Sequence, residues 1–307
     1  MKKLKVVLAL ITKENDYQRE QAAVGEATAR RLGMELRLIY ADSNAIAQTQ
    51  QLFAALRSGP ADRPDAIIVE PVGTSMSQVA KTAVASGVGW IVMNRDAEEL
   101  AELRSTTSVP VGRVLTDNVE VGRIQGRQFA ALLPSGGAVL YIEGPATDVS
   151  KQRRAGVQET LPANIKLQTV RGNWTEESAR QTVSALLQPQ WALTPTVGII
   201  GCQNDAMAMG ARKAMEALAA AQRRELWLKV PLTGCDGVPT SGQVWVRRGL
   251  LAATVVTPPL SGVALEQLAR AVTSGTQMPD RTVTKPLSFP PVESLGARPS
   301  TQPGAPV

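Results

Sequence analysis

The sequence predicts an α/β protein made of two lobes, each built on its own parallel sheet. Apolar strand-length runs alternate with helix-length segments along nearly the whole chain, the order that parallel sheets require. At 307 residues the chain exceeds what one hydrophobic core usually serves. The alternating series also has a seam, "GRVLTDN" at residues 112–118, with a similar series on either side.

The first run, "LKVVLALI", has the density of a strand buried on both faces. Its basic start imitates a secretory signal. The uninterrupted apolar stretch Val6 to Ile11 is short, Lys13 and Glu14 follow it, and no small-residue cleavage site appears, so a first strand fits better. The runs "ELRLIYA", "DAIIVEP" and "GWIVMN" read as further strands, with helices at about 18–32, 44–57 and 75–86 and a polar stretch from 95 to 110. After the seam come a helix at 119–133, "AVLYIEG", a helix at 151–161, "KLQTVRG", a helix at 176–187, "VGIIGCQ", a helix at 205–221, "VPLTGCD", a short helix near 240–248 and "LLAATVVT". Asp205 stands where a helix N-cap belongs, and Thr175 is a second cap candidate. Met207, Met209 and Met215 read as core filling. A last helix, 260–274, follows Pro258 and Pro259 and sets Val263, Leu265, Leu268 and Val272 on one face. The expected lobes are 1–116 with 258–285 and 117–257 with 286–294, the chain crossing near 115–118, 256–259 and 285. Residues 295–307, rich in Pro, Gly and small polar groups, are expected to form a flexible tail.

Composition narrows the chemistry. Aromatics are only 4% of the chain, so the cores must be built from Val, Leu, Ile and Ala. The net charge of +6 is spread over scattered pairs such as Arg30-Arg31 and Arg247-Arg248, with no basic arm of the kind that grips nucleic acid. There are no histidines, which excludes Ser-His-Asp and Cys-His nucleophile systems and any His-based metal site. No cofactor and no catalytic turnover are expected. Cys202 and Cys235 each end an apolar run and are expected on neighbouring strands, as buried thiols or as a disulfide. No segment is long enough to span a bilayer, which leaves a cytoplasmic protein or a mature form whose export signal has been removed.

Each strand run ends in polar residues. In the first half these are Asn15 to Tyr17, Glu70 and Asn94-Arg95; in the second they are Glu143, Asn204 and Asp236. Ligands of open parallel sheets bind beyond the carboxyl ends of the strands, so two such sets facing one another would line a cleft. Several of these residues have a plainer reading. Asp236 in "CDGV" could shape an Asp-Gly turn, Asn204 could brace the helix start, Arg153 could lie on a solvated basic face, and Trp174 could cover a helix end. Glu70 and Glu143, each closely followed by Pro, are read as loop shaping before acid catalysis.

From about Leu4 to Val292 the chain resembles the type I periplasmic sugar-binding proteins, the ribose-binding group in particular. The stretches that carry the resemblance are "DAIIVEPVGTSMSQVAKTAVASGVGWIVMNRD", "LTDNVEVGRIQGRQFAALL", "GCQNDAMAMGARKAM" and "LTGCDGVPTSGQVWVRRGLLAATV". The resemblance implies two Rossmann-like lobes joined by a three-strand hinge, closing around a sugar. By matched position it implies ligand roles for Asn15, Tyr17, Arg95, Arg153, Trp174, Asn204 and Asp236, with Asn94 and Thr257 at two further ligand positions. Asn94 replaces the usual Asp, Gln18 replaces an aromatic, and Thr257 stands where ribose binders carry Gln, so ribose itself is not the expected ligand.

The residue types suit a polyol. Planar Asp, Asn and Arg groups satisfy adjacent hydroxyls, and Trp174 or Tyr17 could cover the apolar side of a ring. The leading expectation is a monomeric solute-binding protein serving an ABC permease or membrane sensor outside the cytoplasmic membrane, with no nucleic acid partner. The alternative is the effector-binding core of a LacI-type transcription regulator, although a first strand beginning by Leu4 leaves no room for a DNA-binding module ahead of it. A nucleotide-dependent enzyme is disfavoured, because no phosphate-binding loop occurs.

Overall fold

Strands as apolar as "KVVLAL" are stable only where both faces are covered, and the chain supplies that cover with a helix after almost every strand. In the computed structural model, which describes residues 3–73, 76–97, 99–188 and 197–296, the order is β1 (Lys5–Leu10), α1 (Asp16–Leu32), β2 (Glu35–Tyr40), α2 (Ala45–Arg57), β3 (Ala66–Val69), α3 (Ser77–Ala85), β4 (Gly89–Met93), α4 (Glu99–Ser105) and β5 (Val111–Thr116). It continues with α5 (Asn118–Leu132), β6 (Gly137–Glu143), α6 (Asp148–Thr160), β7 (Ile165–Arg171), α7 (Glu176–Leu186), β8 (Ile199–Cys202), α8 (Asp205–Glu216), α9 (Ala221–Leu228) and β9 (Leu232–Asp236). It ends with α10 (Gly242–Arg247), β10 (Ala253–Val256), α11 (Leu260–Ser274), β11 (Arg281–Thr284), β12 (Leu287–Phe289) and a 3-10 turn at Val292–Ser294.

The chain divides into two units, Met1–Thr116 with Pro258–Thr284, and Asp117–Thr257 with Lys285–Val307. The first holds a six-stranded parallel sheet in the order β11-β5-β4-β3-β1-β2. Alternation along its strands feeds two cores. Val7, Ala9, Ile67, Val69 and Val92 face α2, α3 and α4 through Leu52, Val79 and Leu100. Val6, Leu8, Leu10, Ile68 and Ile91 face α1 and α11 through Ala22, Ala29, Leu265 and Leu268. The second unit has the order β12-β10-β9-β8-β6-β7, parallel except for β12, which pairs antiparallel with β10. Leu140, Ile142 and Ile200 pack on α7 and α8 with Met207 and Met215, while Val139, Tyr141 and Ile199 pack on Phe129 and Val157 of α5 and α6.

Local chemistry sets the helix ends. Asn15, Asn44, Asp117, Thr147 and Thr175 cap α1, α2, α5, α6 and α7, each accepting from first-turn amides. The seam at 112–118 contains most of a strand that the sequence reading did not assign, β5, hidden by Arg113. That side chain is accommodated by ion pairs to Asp96 (3.1 Å) and Asp280 (3.0 Å). The polar stretch 95–110 contains α4, whose two turns bury only Leu100 and Leu103 and so show little periodicity. The helix begun at Asp205 stops at Glu216, and α9 follows; the alanine-rich "ALAA" between them carries no sequence stop signal, and the buried Trp227 anchors the second piece. Of the tail expected over 295–307, residues 297–307 lie outside the described residues, and Leu295 is buried.

Helices α5 and α6 approach closely where Gly122 meets the Arg153 backbone and Gly156 meets the Val119 carbonyl, so a Cβ on Gly156 would overlap that backbone. Gly156→Ala gains about 1 kcal/mol of helix propensity but must push two helices apart, an overpacking cost of about 1–3 kcal/mol. A net loss is expected, read as a lower urea midpoint with an unchanged slope.

Candidate functional site

In the first unit the polar tips cluster at the carboxyl edge of the sheet. Asn15 caps α1, its Oδ1 accepting from the amides of Tyr17 (2.8 Å) and Gln18 (3.3 Å). Tyr17 is buried in the first turn. Beside it, Gln18 is only 4% exposed and uses both ends of its amide: Oε1 accepts from the Ile11 amide (3.0 Å), and Nε2 donates to Glu70 (2.9 Å). Glu70, just past β3, is equally buried. Its second oxygen accepts from Asn94 Nδ2 at 3.2 Å. Asn94 follows β4 with a left-handed φ of 56°, a conformation that Asn tolerates better than most residues. Arg95 is half-buried and donates to the Gly73 carbonyl. A small groove lined by Pro71, Met76, Val92, Arg95 and Asp96 adjoins it. Burial holds the Glu70 carboxyl above its usual range, opposed by the amides of Gln18 and Asn94 and by the charge of Arg95.

In the second unit Arg153, Trp174 and Asn204 form one linked group. Arg153 is buried, which excludes the solvated basic face. Its Nε donates to Asn118 Oδ1 (3.0 Å), its guanidinium to the Gln203 carbonyl, and its charge lies 5.6 Å from the centre of the Trp174 ring. Trp174 is half-buried with φ 61°. Its carbonyl accepts from Asn204 Nδ2 (2.9 Å), while Asn204 Oδ1 accepts from the Met207 amide (2.9 Å). Asn204 is therefore the cap of α8, the role expected of Asp205. The capping residue is the last with extended backbone (φ −150°, ψ 167°), and Asp205 is already helical. Asp205 instead turns its carboxylate into the unit, accepting from the Gly237 amide (2.8 Å) and the Thr254 hydroxyl (2.7 Å), in room left by Gly234 and Gly242.

Asp236 ends β9, half-buried with φ 105°, and its carbonyl accepts from the amide of Thr257 (3.0 Å), which is buried. Glu143 ends β6 with an ion pair to Arg154 at 3.6 Å, and burial raises its carboxyl against the charges of Arg154 and Arg171. Cys202 and Cys235, on the adjacent strands β8 and β9, are free buried thiols. Burial raises both, Cys235 to about 12. Among the described residues no group of three or more His, Cys, Asp or Glu side chains could hold a metal ion.

Sequence reasoning missed four contributors: Gln18 and Glu70 in the first unit, Asn118 and Gln203 in the second. The signal for Glu70 was its place at a strand tip, the rule that selected Asn94 and Asp236. Its neighbouring proline obscured it.

Residues 6–276 match the model of the periplasmic binding protein domain. The chain belongs to this family. Among its relatives, a D-allose-binding periplasmic protein of Escherichia coli (strain K12) is 29% identical over 264 residues, 83% of this chain and 80% of the relative. A D-apiose import binding protein of Paraburkholderia graminis is 23% identical over 278 residues, 88% of this chain and 82% of that protein. The crystal structure of an ABC transporter periplasmic solute binding protein from Actinobacillus succinogenes with bound D-allose superposes with a TM-score of 0.79 at 23% identity, covering 96% of this chain and all of that one. The fold is thus that of the type I members of the family, two lobes each with a parallel-dominated sheet and alternating helices.

Two outcomes are expected. Because the fold raises the Glu70 pKa, the folded chain binds that proton more tightly than the unfolded one. The stability of the parent relative to Glu70→Gln should therefore rise as pH falls through the raised value and level off below the ordinary carboxylate range. Urea titrations of both proteins from neutral to acid pH measure it, and a difference that shrinks on acidification contradicts the shift. Asn204→Ala removes a cap and the tie to the Trp174 carbonyl and should cost about 1–2 kcal/mol of stability, whereas Asn204→Ser keeps a cap acceptor, loses only the tie and should cost less.

Proposed function

We propose that this chain is a solute-binding protein that takes up a sugar or related polyol outside the cytoplasmic membrane and delivers it to an ABC permease or membrane sensor. The observation that carries this reading is its relatedness, over most of both lengths, to a D-allose-binding periplasmic protein and a D-apiose import binding protein. In this reading residues 1–116 with 258–285 form one lobe and 117–257 with 286–294 the other. Each offers the ligand polar groups at the carboxyl edge of its sheet. Asn15, Tyr17, Asn94 and Arg95 come from the first, and Arg153, Trp174, Asn204, Asp236 and Thr257 from the second.

The groups in these sets suit hydroxyls, which donate and accept together. Carboxylate and amide oxygens take the protons, and guanidinium and amide N–H groups meet the oxygens. Arg153 and Asn204 already have protein partners on part of their polar atoms, so they act as fixed groups that a ligand joins. The protein works as a monomer, binds no nucleic acid, needs no cofactor and releases its ligand chemically unchanged.

Mass spectrometry of small molecules released on denaturing the purified protein tests the class. A sugar or polyol recovered near one per chain is expected, and a nucleotide or an amino acid in that amount would overturn the reading. With the recovered compound, calorimetry should find that Asp236→Asn, which keeps a residue tolerant of φ 105° but removes the charge, weakens binding about tenfold. Arg248→Ala, at an exposed position, should bind within about twofold of the parent.

A further inference from the structure

We propose that Glu70 is a positioning residue whose carboxylate turns the side-chain amide of Asn94 so that Asn94 Oδ1 is offered to a ligand hydroxyl as an acceptor. This rests on the sugar- or polyol-binding reading and adds to it a residue that sets what one subsite can recognise.

The chain of partners leaves the amides little freedom. The Ile11 amide can only donate, so the end of Gln18 that meets it is the oxygen, and Gln18 must present Nε2 to Glu70. Glu70 accepts from Gln18 Nε2 on one oxygen and from Asn94 Nδ2, at 3.2 Å, on the other, so Asn94 also faces it with its nitrogen. The other end of the Asn94 amide is then its oxygen. That atom is buried and has no hydrogen-bond partner among the described residues. Buried acceptors in native folds are nearly always satisfied, and a ligand donor is the natural completion.

The same geometry explains why position 94 holds Asn. An Asp there would set a second carboxylate against the buried Glu70, with Arg95 the cation acting on it. With Asn the anion sits one strand away, on the tip of β3, and the ligand meets a neutral acceptor. The subsite therefore selects a hydroxyl donor and disfavours an anionic group such as a uronic carboxylate.

Exchanging the two chemical types tests this. Glu70→Gln can donate to Asn94 Oδ1 and consume the acceptor. Calorimetry with a panel of D-allose, D-apiose and myo-inositol should show it lowering affinity about tenfold for whichever probe the parent binds. Asn94→Asp alone should also bind more weakly. The double variant Glu70→Gln/Asn94→Asp restores an amide donor facing a carboxylate and should return to within about threefold of the parent, a rescue that simple structural damage would not show. A ligand-free measurement runs beside it. In amide NMR spectra of the nitrogen-labelled full chain, the Asn94 side-chain signal, assigned by its loss in Asn94→Asp, should move in Glu70→Gln more than other side-chain amides except that of Gln18. If the parent binds none of the panel, the calorimetry is repeated with the compound recovered by mass spectrometry, and the NMR comparison still decides the role of Glu70. Unchanged affinity in Glu70→Gln, a double variant no better than the single ones, or an unmoved Asn94 signal would overturn the role of Glu70.

Discussion

A parallel strand covered by helices on both faces has little room along its length for a polar side chain that lacks a partner, because each face packs against apolar atoms and away from water. Polar side chains are pushed to the strand ends, and the structure follows from that constraint. Leu8, Ile68 and Ile91 alternate with Val7, Ile67 and Val92 between two cores, and Glu70 and Asn94 appear immediately beyond the strands that carry them. Helix starts fall at the same edge, so capping groups and recognition groups share it. Asn15 and Asn204 cap α1 and α8 and also stand in the proposed ligand set.

This overlap explains which parts were legible in the sequence. Strand runs as dense as "KVVLAL" and helices with a full apolar face declared themselves, and so did the cap at Thr175. Elements carried by few buried residues did not: α4 buries two leucines, and β11 and β12 are short edge strands with mixed polarity. β5 was masked by an arginine whose compensating aspartates, Asp96 and Asp280, are distant from it or outside the strand in sequence. At the site, residue type and strand-tip position pointed to Asn94, Asn204 and Asp236. Which of Asn204 and Asp205 caps the helix depended on one residue of backbone conformation, and the partnership of Gln18 with Glu70 joins residues 52 apart. No local pattern reports such a pairing.

The second unit shows how buried polar groups are made affordable. Arg153 is held by Asn118, by the Gln203 carbonyl and by the face of Trp174, and Gln203 is itself fixed by the Gly144 amide and the Ser150 carbonyl. Satisfied networks of this kind are rigid, and a ligand joining one meets groups whose rotamer freedom is already spent. Asp205 does the same structural service between α8, β10 and the residue after β9.

Within the proposed ligand set, Asn94, Trp174 and Asp236 share a backbone property, positive φ, that would limit how such a site can change its ligand. Valine, isoleucine or threonine at any of the three would strain the chain before meeting a ligand, so the accessible replacements are mainly Asn, Asp and Gly. Tyr17, in a regular helical turn, and Thr257 carry no such restriction. On the proposed ligand set, redesign toward a new solute would have its widest backbone freedom at Tyr17 and Thr257, with the three left-handed positions as a fixed frame around them.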